Sequence, residues 1–399
     1  MAVLLCLDSG TTSVKAAAFD EAGRLLAQAE HPNGALQREG ARVEQDMHRT
    51  RAEALSVLRA SADIMPQAQV KRLLGREYGK GWESRFTKLE FEPAASASIG
   101  QVHHAITADG RSIALKIQYP GVAKSIDSDV DNLAMFLNMA RLLPRELDVS
   151  DIIDEAKRQL RQEADYLTEA ANLERYHALL ADDDRFIVPR LHRDLSTQRI
   201  LAMDWIEGES LDQLIRHETP QEVRDGIAAA IQDLTFRELY EFRFMQTDPN
   251  FANYLYRPED GRIGLLDLGA AVEFPQPFVD RYRRITRAIL DHDRAAVARC
   301  AAEIGYLRDT DSDRHKELVV NLIMLVCEPL TTEGAYDFGN SNLASRAAAA
   351  GLDIVFRSRE YRNPPAATAV LHRKLGGSFL LCQRLKARVE MRDYLLPRI

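Results

Sequence analysis

The stretch Met245-Gln-Thr-Asp-Pro-Asn-Phe-Ala-Asn253, followed by Asp267-Leu-Gly269, decides how this chain is read. An Asp, an Asn five positions on, and an Asp-x-Gly beyond one short hairpin set three oxygen-bearing side chains in a fixed order. Phosphoryl transfer asks little covalent chemistry of a protein. It needs oxygen ligands that hold Mg²⁺ on phosphates, and a carboxylate aimed at the nucleophile. In such chemistry Asp248 would accept a hydroxyl proton or orient a water, and Asn253 and Asp267 would hold the metal. Each has a plainer explanation alone, since Asp248 before Pro249 favours a turn and Asp267 can simply end the apolar run Ile263-Gly-Leu-Leu266. All three at this spacing are improbable by chance.

Upstream, Ile113-Ala-Leu-Lys-Ile117 alternates so that Ile113, Leu115 and Ile117 share one strand face and Ala114 and Lys116 the other. Alone, Lys116 reads as an edge lysine that discourages aggregation. With the acids downstream it reads as a cation poised over a cleft. A long helix is expected from Ser150 through Leu180, with Ile153, Ala156, Leu160 and Tyr166 along one face. Asp165 and Glu169 are four apart on it, where like charges repel unless a cation such as Lys116 sits between them. Before the lysine strand, Pro93-Ala-Ala-Ser-Ala-Ser-Ile-Gly-Gln101 reads as a loop. Its Ala95, Ser96, Ala97 and Ser98 are small enough for backbone N–H groups to approach a phosphate, though they are stiffer than glycine.

The rest of the chain frames these residues. Residues 3 to 29 read strand, Gly/Thr turn, strand; 30 to 46 read polar and irregular; Thr50 to Ala62 and about Gln67 to Arg76 read helical. From Phe91 the pattern is β, with Asp109-Gly110 as a hairpin turn, and beyond about Pro277 everything reads helical. A β-rich half with one long helix precedes a mostly helical half that carries the acids. This is the order of an α+β, bilobal protein-kinase-like fold, here preceded by a small β-hairpin segment. The expected divisions are 1–50, an N-lobe over 51–206 and a C-lobe over 207–399.

Composition narrows the class. A formal charge of −8 with interleaved signs speaks against a nucleic-acid partner. The four cysteines lie far apart, as in a reduced cytoplasmic protein. The longest late apolar run, Val319-Val-Asn-Leu-Ile-Met-Leu-Val-Cys327, is too short to span a bilayer.

Five motifs carry a resemblance: Ala94-Ala-Ser-Ala-Ser-Ile-Gly-Gln-Val-His103, Ala114-Leu-Lys-Ile-Gln-Tyr-Pro-Gly121, Glu163-Ala-Asp-Tyr-Leu-Thr-Glu169, Phe244-Met-Gln-Thr-Asp-Pro-Asn250 and Leu265-Leu-Asp-Leu-Gly269. From about Glu53 onward the chain resembles the UbiB/AarF family of protein-kinase-like ATPases. Arg373-Lys-Leu-Gly-Gly-Ser-Phe379 is similar to that family too. The resemblance implies ATP and Mg²⁺ as cofactors, altered nucleotide handling by the Ala-rich loop, and a role in ubiquinone (coenzyme Q) biosynthesis. It also implies a lipid or ubiquinone-precursor substrate and peripheral membrane contact. It makes Lys116 and Glu169 the catalytic ion pair beside Asp248, and gives Glu163 and Asp165 a regulatory role. Two departures stand out: Leu268 replaces a common Phe, and the family's Lys-x-Gly-Gln helix is absent.

Residues 3 to about 48 instead resemble the start of FGGY-type carbohydrate kinases, through Asp8-Ser-Gly-Thr-Thr-Ser-Val-Lys15, Phe19-Asp-Glu-Ala-Gly23 and Val43-Glu-Gln-Asp46. No second actin-like domain follows, so sugar kinase activity is not expected. A nucleotide-binding pseudokinase or scaffold is the main alternative to an ATPase, and a carbohydrate kinase fragment the weaker one.

Overall fold

The computed structural model describes residues 65–122 except Ser98, 164–354 except Glu218, and 365–399, with isolated positions between 126 and 161 and five strands between 4 and 45. Strands β1 (Leu4–Ser9), β2 (Ser13–Phe19) and β3 (Leu25–Pro32) form an antiparallel meander. Strand β4 (Leu36–Glu39) pairs with β5 (Arg42–Gln45), so the irregular reading of 30–46 is corrected. The two residues between β4 and β5 match the tightest hairpin connection, a length signal stronger than the polar composition. The expected helix from Thr50 to Ala62 lies outside the described residues.

The N-lobe begins with α1 (Gln67–Tyr78), which follows Pro66 and buries Val70, Leu73 and Leu74. An antiparallel sheet follows: β6 (Phe86–Leu89), β7 (Ala95–Ala97), β8 (Gly100–Thr107) and β9 (Ser112–Gln118). The β pattern thus starts five residues before the Phe91 expected from sequence. Helix α2 (Tyr166–Leu179) and strand β11 (Ile200–Asp204) complete the lobe, while the intervening β10 (Phe186–Ile187) pairs in parallel with Ile263 and Gly264 of the C-lobe. The order β11-β9-β8-β6, with β7 folded onto β8, puts the lysine strand in the interior of the sheet. Ile113, Leu115 and Ile117 pack with Val70, Leu74 and Trp82 in one core.

The C-lobe opens with β12 (Glu209–Ser210) and α3 (Leu211–Arg216), whose Ser210 and Gln213 form a reciprocal capping box. The buried helix α4 (Gln221–Arg237) ends in a π-helical turn, Glu238–Phe242, closed by left-handed Arg243. Strands β13 (Phe244–Gln246), β14 (Tyr254–Arg257), β15 (Arg262–Leu265) and β16 (Ala271–Glu273) carry the site loops. Then come α5 (Gln276–Leu290), α6 (Arg294–Ile304), α7 (Asp313–Val326), α8 (Glu328–Thr331), β17 (Tyr336–Asp337), α9 (Leu343–Asp353), α10 (Ala366–Arg384), β18 (Arg388–Val389) and α11 (Met391–Leu395). The all-helical expectation beyond Pro277 is corrected by the small β17–β18 ladder. That ladder is two residues per strand, too short for any period to register.

The long helix expected from Ser150 to Leu180 is not continuous. Ala164 is a turn and Asp165, at φ −102° and ψ 84°, starts α2 afresh. The Asp165 carboxylate accepts from the N–H groups of Leu167 and Thr168 at 3.1 and 3.3 Å, which satisfies donors that a continuing helix would have bonded internally.

Candidate active site

Lys116 lies on an interior strand with both faces covered, and is 6% exposed. Its Nζ donates to Glu169 Oε1 and Oε2 at 2.8 and 2.9 Å, and to Asp267 Oδ2 at 3.0 Å. One ammonium therefore joins the N-lobe strand β9, the N-lobe helix α2 and the C-lobe segment after β15. Burial alone would lower the Lys116 pKa, but the Glu169 and Asp267 carboxylates outweigh it and the net shift is upward. For Asp267, burial works upward, while Lys116 and the Gly269 N–H hold the carboxyl below its usual value. Gly269 N donates to Asp267 Oδ1 at 3.0 Å, so both carboxylate oxygens have fixed partners.

The sequence placed Lys116 between Asp165 and Glu169. The structure corrects this: the second acid on Lys116 is Asp267, and Asp165 is occupied as the α2 cap, also accepting from Thr168 Oγ1 at 2.7 Å. A cap lies outside the helical spiral, so the four-residue spacing does not put Asp165 on the Glu169 face. Glu163 and Ser98 lie outside the described residues.

Asp248 precedes, and Asn253 closes, a short 3₁₀ turn, Phe251–Asn253, which the Asn250 side chain caps. Asn253 Nδ2 donates to Asp248 Oδ2 at 2.9 Å, and Leu266 N donates to Asn253 O at 2.9 Å. The β14–β15 hairpin pairs Tyr254 with Leu265, so Asn253 and Asp267 leave it at the same end. Leu268 is 3% exposed in the C-lobe core, and its carbonyl accepts from Asn172 Nδ2 at 2.9 Å.

The stretch expected as an Ala/Ser loop is a strand. Residues Ala95, Ser96 and Ala97 pair with Val102, Gln101 and Gly100, and Ala95 and Ser96 are exposed. Gly100 is required by contact: a Cβ there would meet Ile117 O at 2.4 Å. Small residues on both arms thus make a tight hairpin above the lysine strand, which the sequence shows only as low side-chain volume.

Sequence pattern alone assigns no role to the α10 motif. Arg373 Nε donates to Thr247 O at 3.1 Å and its Nη2 to Thr247 Oγ1 at 3.1 Å, one residue before Asp248. A Cβ on Gly377 would sit 2.1 Å from Pro249 Cγ, one residue after Asp248. Lys374 is 2% exposed, lies 3.5 Å from Glu238 Oε2 and donates to Tyr254 OH at 3.3 Å. Glu238 Oε1 in turn accepts from Tyr176 OH at 2.5 Å and from Gln246 N at 3.2 Å. Burial pushes the Glu238 carboxyl upward and Lys374 draws it partly back. Helix α10 is thereby bonded to both sides of the Asp248 loop. The available signal was a glycine pair inside a helical pattern, which often marks close packing.

The residues fit a magnesium–nucleotide site. Asn253 and Asp267 offer hard oxygen donors, and Mg²⁺ commonly takes one or two carboxylates together with substrate phosphates and water. Among the described residues no cluster of three or more His, Cys, Asp or Glu side chains suggests another metal.

A β-sheet lobe with a buried Lys–Glu pair, facing a helical lobe with an Asp–Asn turn and an Asp-x-Gly, defines a protein-kinase-like protein. The sequence matches the ABC1 atypical kinase-like domain over residues 57–301, more than half of the chain. The chain belongs to this ABC1 (UbiB/COQ8) family of atypical kinases. It is similar to the mitochondrial atypical kinase COQ8B of Rattus norvegicus, 41% identical over 84% of this chain and 63% of that protein. It is also similar to the mitochondrial atypical kinase COQ8 of Saccharomyces cerevisiae, 36% identical over 84% of this chain and 67% of that one. The chain thus spans about two-thirds of the length of these relatives. Among solved structures, Rv3197 of Mycobacterium tuberculosis, determined with erythromycin, superposes with a TM-score of 0.65 at 27% identity, over 88% of this chain and 87% of that one. No helix among the described residues is long and apolar enough to cross a membrane.

Proposed function

We propose that the chain is an ATP-dependent phosphotransferase or ATPase that binds Mg-ATP between its lobes and supports ubiquinone biosynthesis. The observation that carries this reading is the single Lys116 ammonium bonded to both Glu169 and Asp267. Lys116, held straight by Glu169, would meet the nucleotide's phosphates, and Asn253 and Asp267 would hold the metal. Bound Mg²⁺ would supply neutralising charge on the phosphates. Asp248, oriented by Asn253, would accept the proton of an attacking hydroxyl or water. Glu163 and Asp165 would regulate the site, and the Ala95–Ala97 strand with Ser98 would cover the phosphates. The similarity to mitochondrial COQ8 proteins supports the role in ubiquinone biosynthesis; in this reading the substrate is a lipid or quinone precursor met with peripheral membrane contact. We read residues 3–48 as an FGGY-like segment outside this chemistry.

Asp267→Asn tests the assignment. It keeps the size of the side chain, whose one remaining oxygen can accept from Gly269 N or from Lys116 Nζ but not from both, and it removes the charge that would hold the metal. Mg-dependent phosphate release from ATP should fall by at least about 100-fold, the scale on which removal of one electrostatic group acts. Unchanged release would overturn the reading. Nucleotide binding with no release by the unsubstituted chain would favour a pseudokinase instead.

A further inference from the structure

The face of α10 turned away from the Asp248 loop borders a deep cleft of about 610 Å³ in the helical lobe, walled by α5, α7, α9 and α10. Its floor reaches the interior: Leu239, Phe338 and Leu395 are 2%, 2% and 0% exposed. Its mouth is apolar as well, with Val326 36% and Leu380 51% exposed. The volume falls within the range of small-molecule clefts, about 300–1,000 Å³. A docked helix lies along a groove, whereas this cleft descends into the core, so a compact or slender small molecule suits it better.

Two further observations define what it would hold. No Asp, Glu, Lys or Arg is among the described residues that line it. Against those residues a charged ligand would lose its hydration with no counter-charge to replace it, which favours an uncharged occupant. The lining does hold hydrogen-bonding groups. His315 is 3% exposed, and its Nδ1 has no hydrogen-bond partner. Buried polar atoms without a partner are rare in folded proteins, and a water or ligand is one way to supply the missing partner. Three other lining residues form a hydrogen-bonded chain: Tyr306 OH is 2.9 Å from Tyr282 OH and is also hydrogen-bonded to His372 Nε2.

We propose that this cleft is a binding site for a neutral small molecule with a long apolar body and one hydroxyl or carbonyl, whose polar end is met by the hydrogen-bonding groups of the lining, His315 among them. The site is separate from the Lys116–Asp267 centre and does not depend on the nucleotide reading.

The test uses the full chain and the uncharged fluorescent probe N-phenyl-1-naphthylamine, with 1-dodecanol and dodecanoate as competitors. The probe should bind, and dodecanol should displace it at concentrations at least about tenfold lower than dodecanoate. Ala347→Trp fills the cleft and should weaken the probe by about tenfold or more. Leu380→Glu places a charge at the exposed mouth, where folding tolerates it, and should weaken the probe in the same direction. His315→Phe should weaken dodecanol more than the probe. The melting temperature of each variant without ligand reports that the fold is intact. No probe binding, equal competition by dodecanoate, or undiminished binding in both Ala347→Trp and Leu380→Glu would overturn the site.

Discussion

Single residues in the N-lobe already carry a testable protonation state. Met65 N donates to Gln101 Oε1 at 2.9 Å, which turns the Gln101 amide nitrogen toward His103 Nε2 at 2.8 Å. His103 Nε2 must then accept, and Nδ1 carries the proton that it donates to Glu90 O at 2.8 Å. His103 and Gln101 are both 0% exposed, so a second ring proton would face an N–H donor with no water nearby. Burial lowers the His103 pKa from its usual 6.5, and the Glu90 carbonyl offsets part of that. A folded value below the unfolded one means a stabilising contribution that is complete above the unfolded pKa and is lost as pH falls through the folded one. The melting temperature should therefore decline as pH falls below about 6.5. In His103→Gln the melting temperature should start lower and fall less steeply between pH 6.5 and 5.5. Parallel slopes in thermal unfolding would exclude His103 as the source. Nothing in the sequence disclosed this tautomer, since it depends on an amide fixed by Met65, 36 residues before Gln101.

At the scale of elements, the helix that matters most for the site is the one whose role the sequence left blank. Strand alternation correctly paired Ile113, Leu115 and Ile117 on one core face, because local period is enough for that. The hairpin turn at Asp109-Gly110, with Gly110 at φ 88°, was legible for the same reason. The break at Asp165 and the Arg373–Thr247 bonds were not: a cap inside an apolar-periodic stretch looks helical, and 126 residues separate the second pair. Helix α10 can be tested through its glycines. A methyl at Gly377 collides with Pro249, while one at Gly376 meets nothing within 4 Å. Gly377→Ala should displace the Asp248 loop and reduce kcat for ATP hydrolysis on the order of 100-fold, the usual consequence of a shift near 1 Å. KM for ATP should change little, because Lys116 and Asp267 do not contact this glycine. Gly376→Ala should retain kcat and gain up to about 1 kcal/mol in stability from helix propensity. Equal kcat in the two variants would remove α10 from the positioning of the loop.

Over the whole molecule, the two lobes meet through side chains the sequence could name but not join. Besides Lys116–Asp267, Asn172 Nδ2 reaches Leu268 O and Arg175 Nη1 reaches Glu273 Oε2 at 2.9 Å, so α2 spans the interface. These contacts tie helix, lysine strand and Asp-x-Gly into one unit, and the buried Lys116–Glu169 pair makes it sensitive to loss of either partner, by roughly 3–5 kcal/mol. Among the described residues the N-lobe core begins at Met65, 2% exposed, and the family match begins at residue 57. None of the residues assigned to the nucleotide lies before Ala95. A chain lacking residues 1–48 should therefore fold and keep its response to nucleotide. With Mg-ATP at roughly 100 times its Kd, binding to the folded state alone contributes about 2.7 kcal/mol, enough for a clear rise in melting temperature. The shortened and full chains should show the same rise, and Asp267→Asn in either background should abolish it. A rise confined to the full chain would place part of the nucleotide site in the N-terminal strands and reverse the reading of that segment.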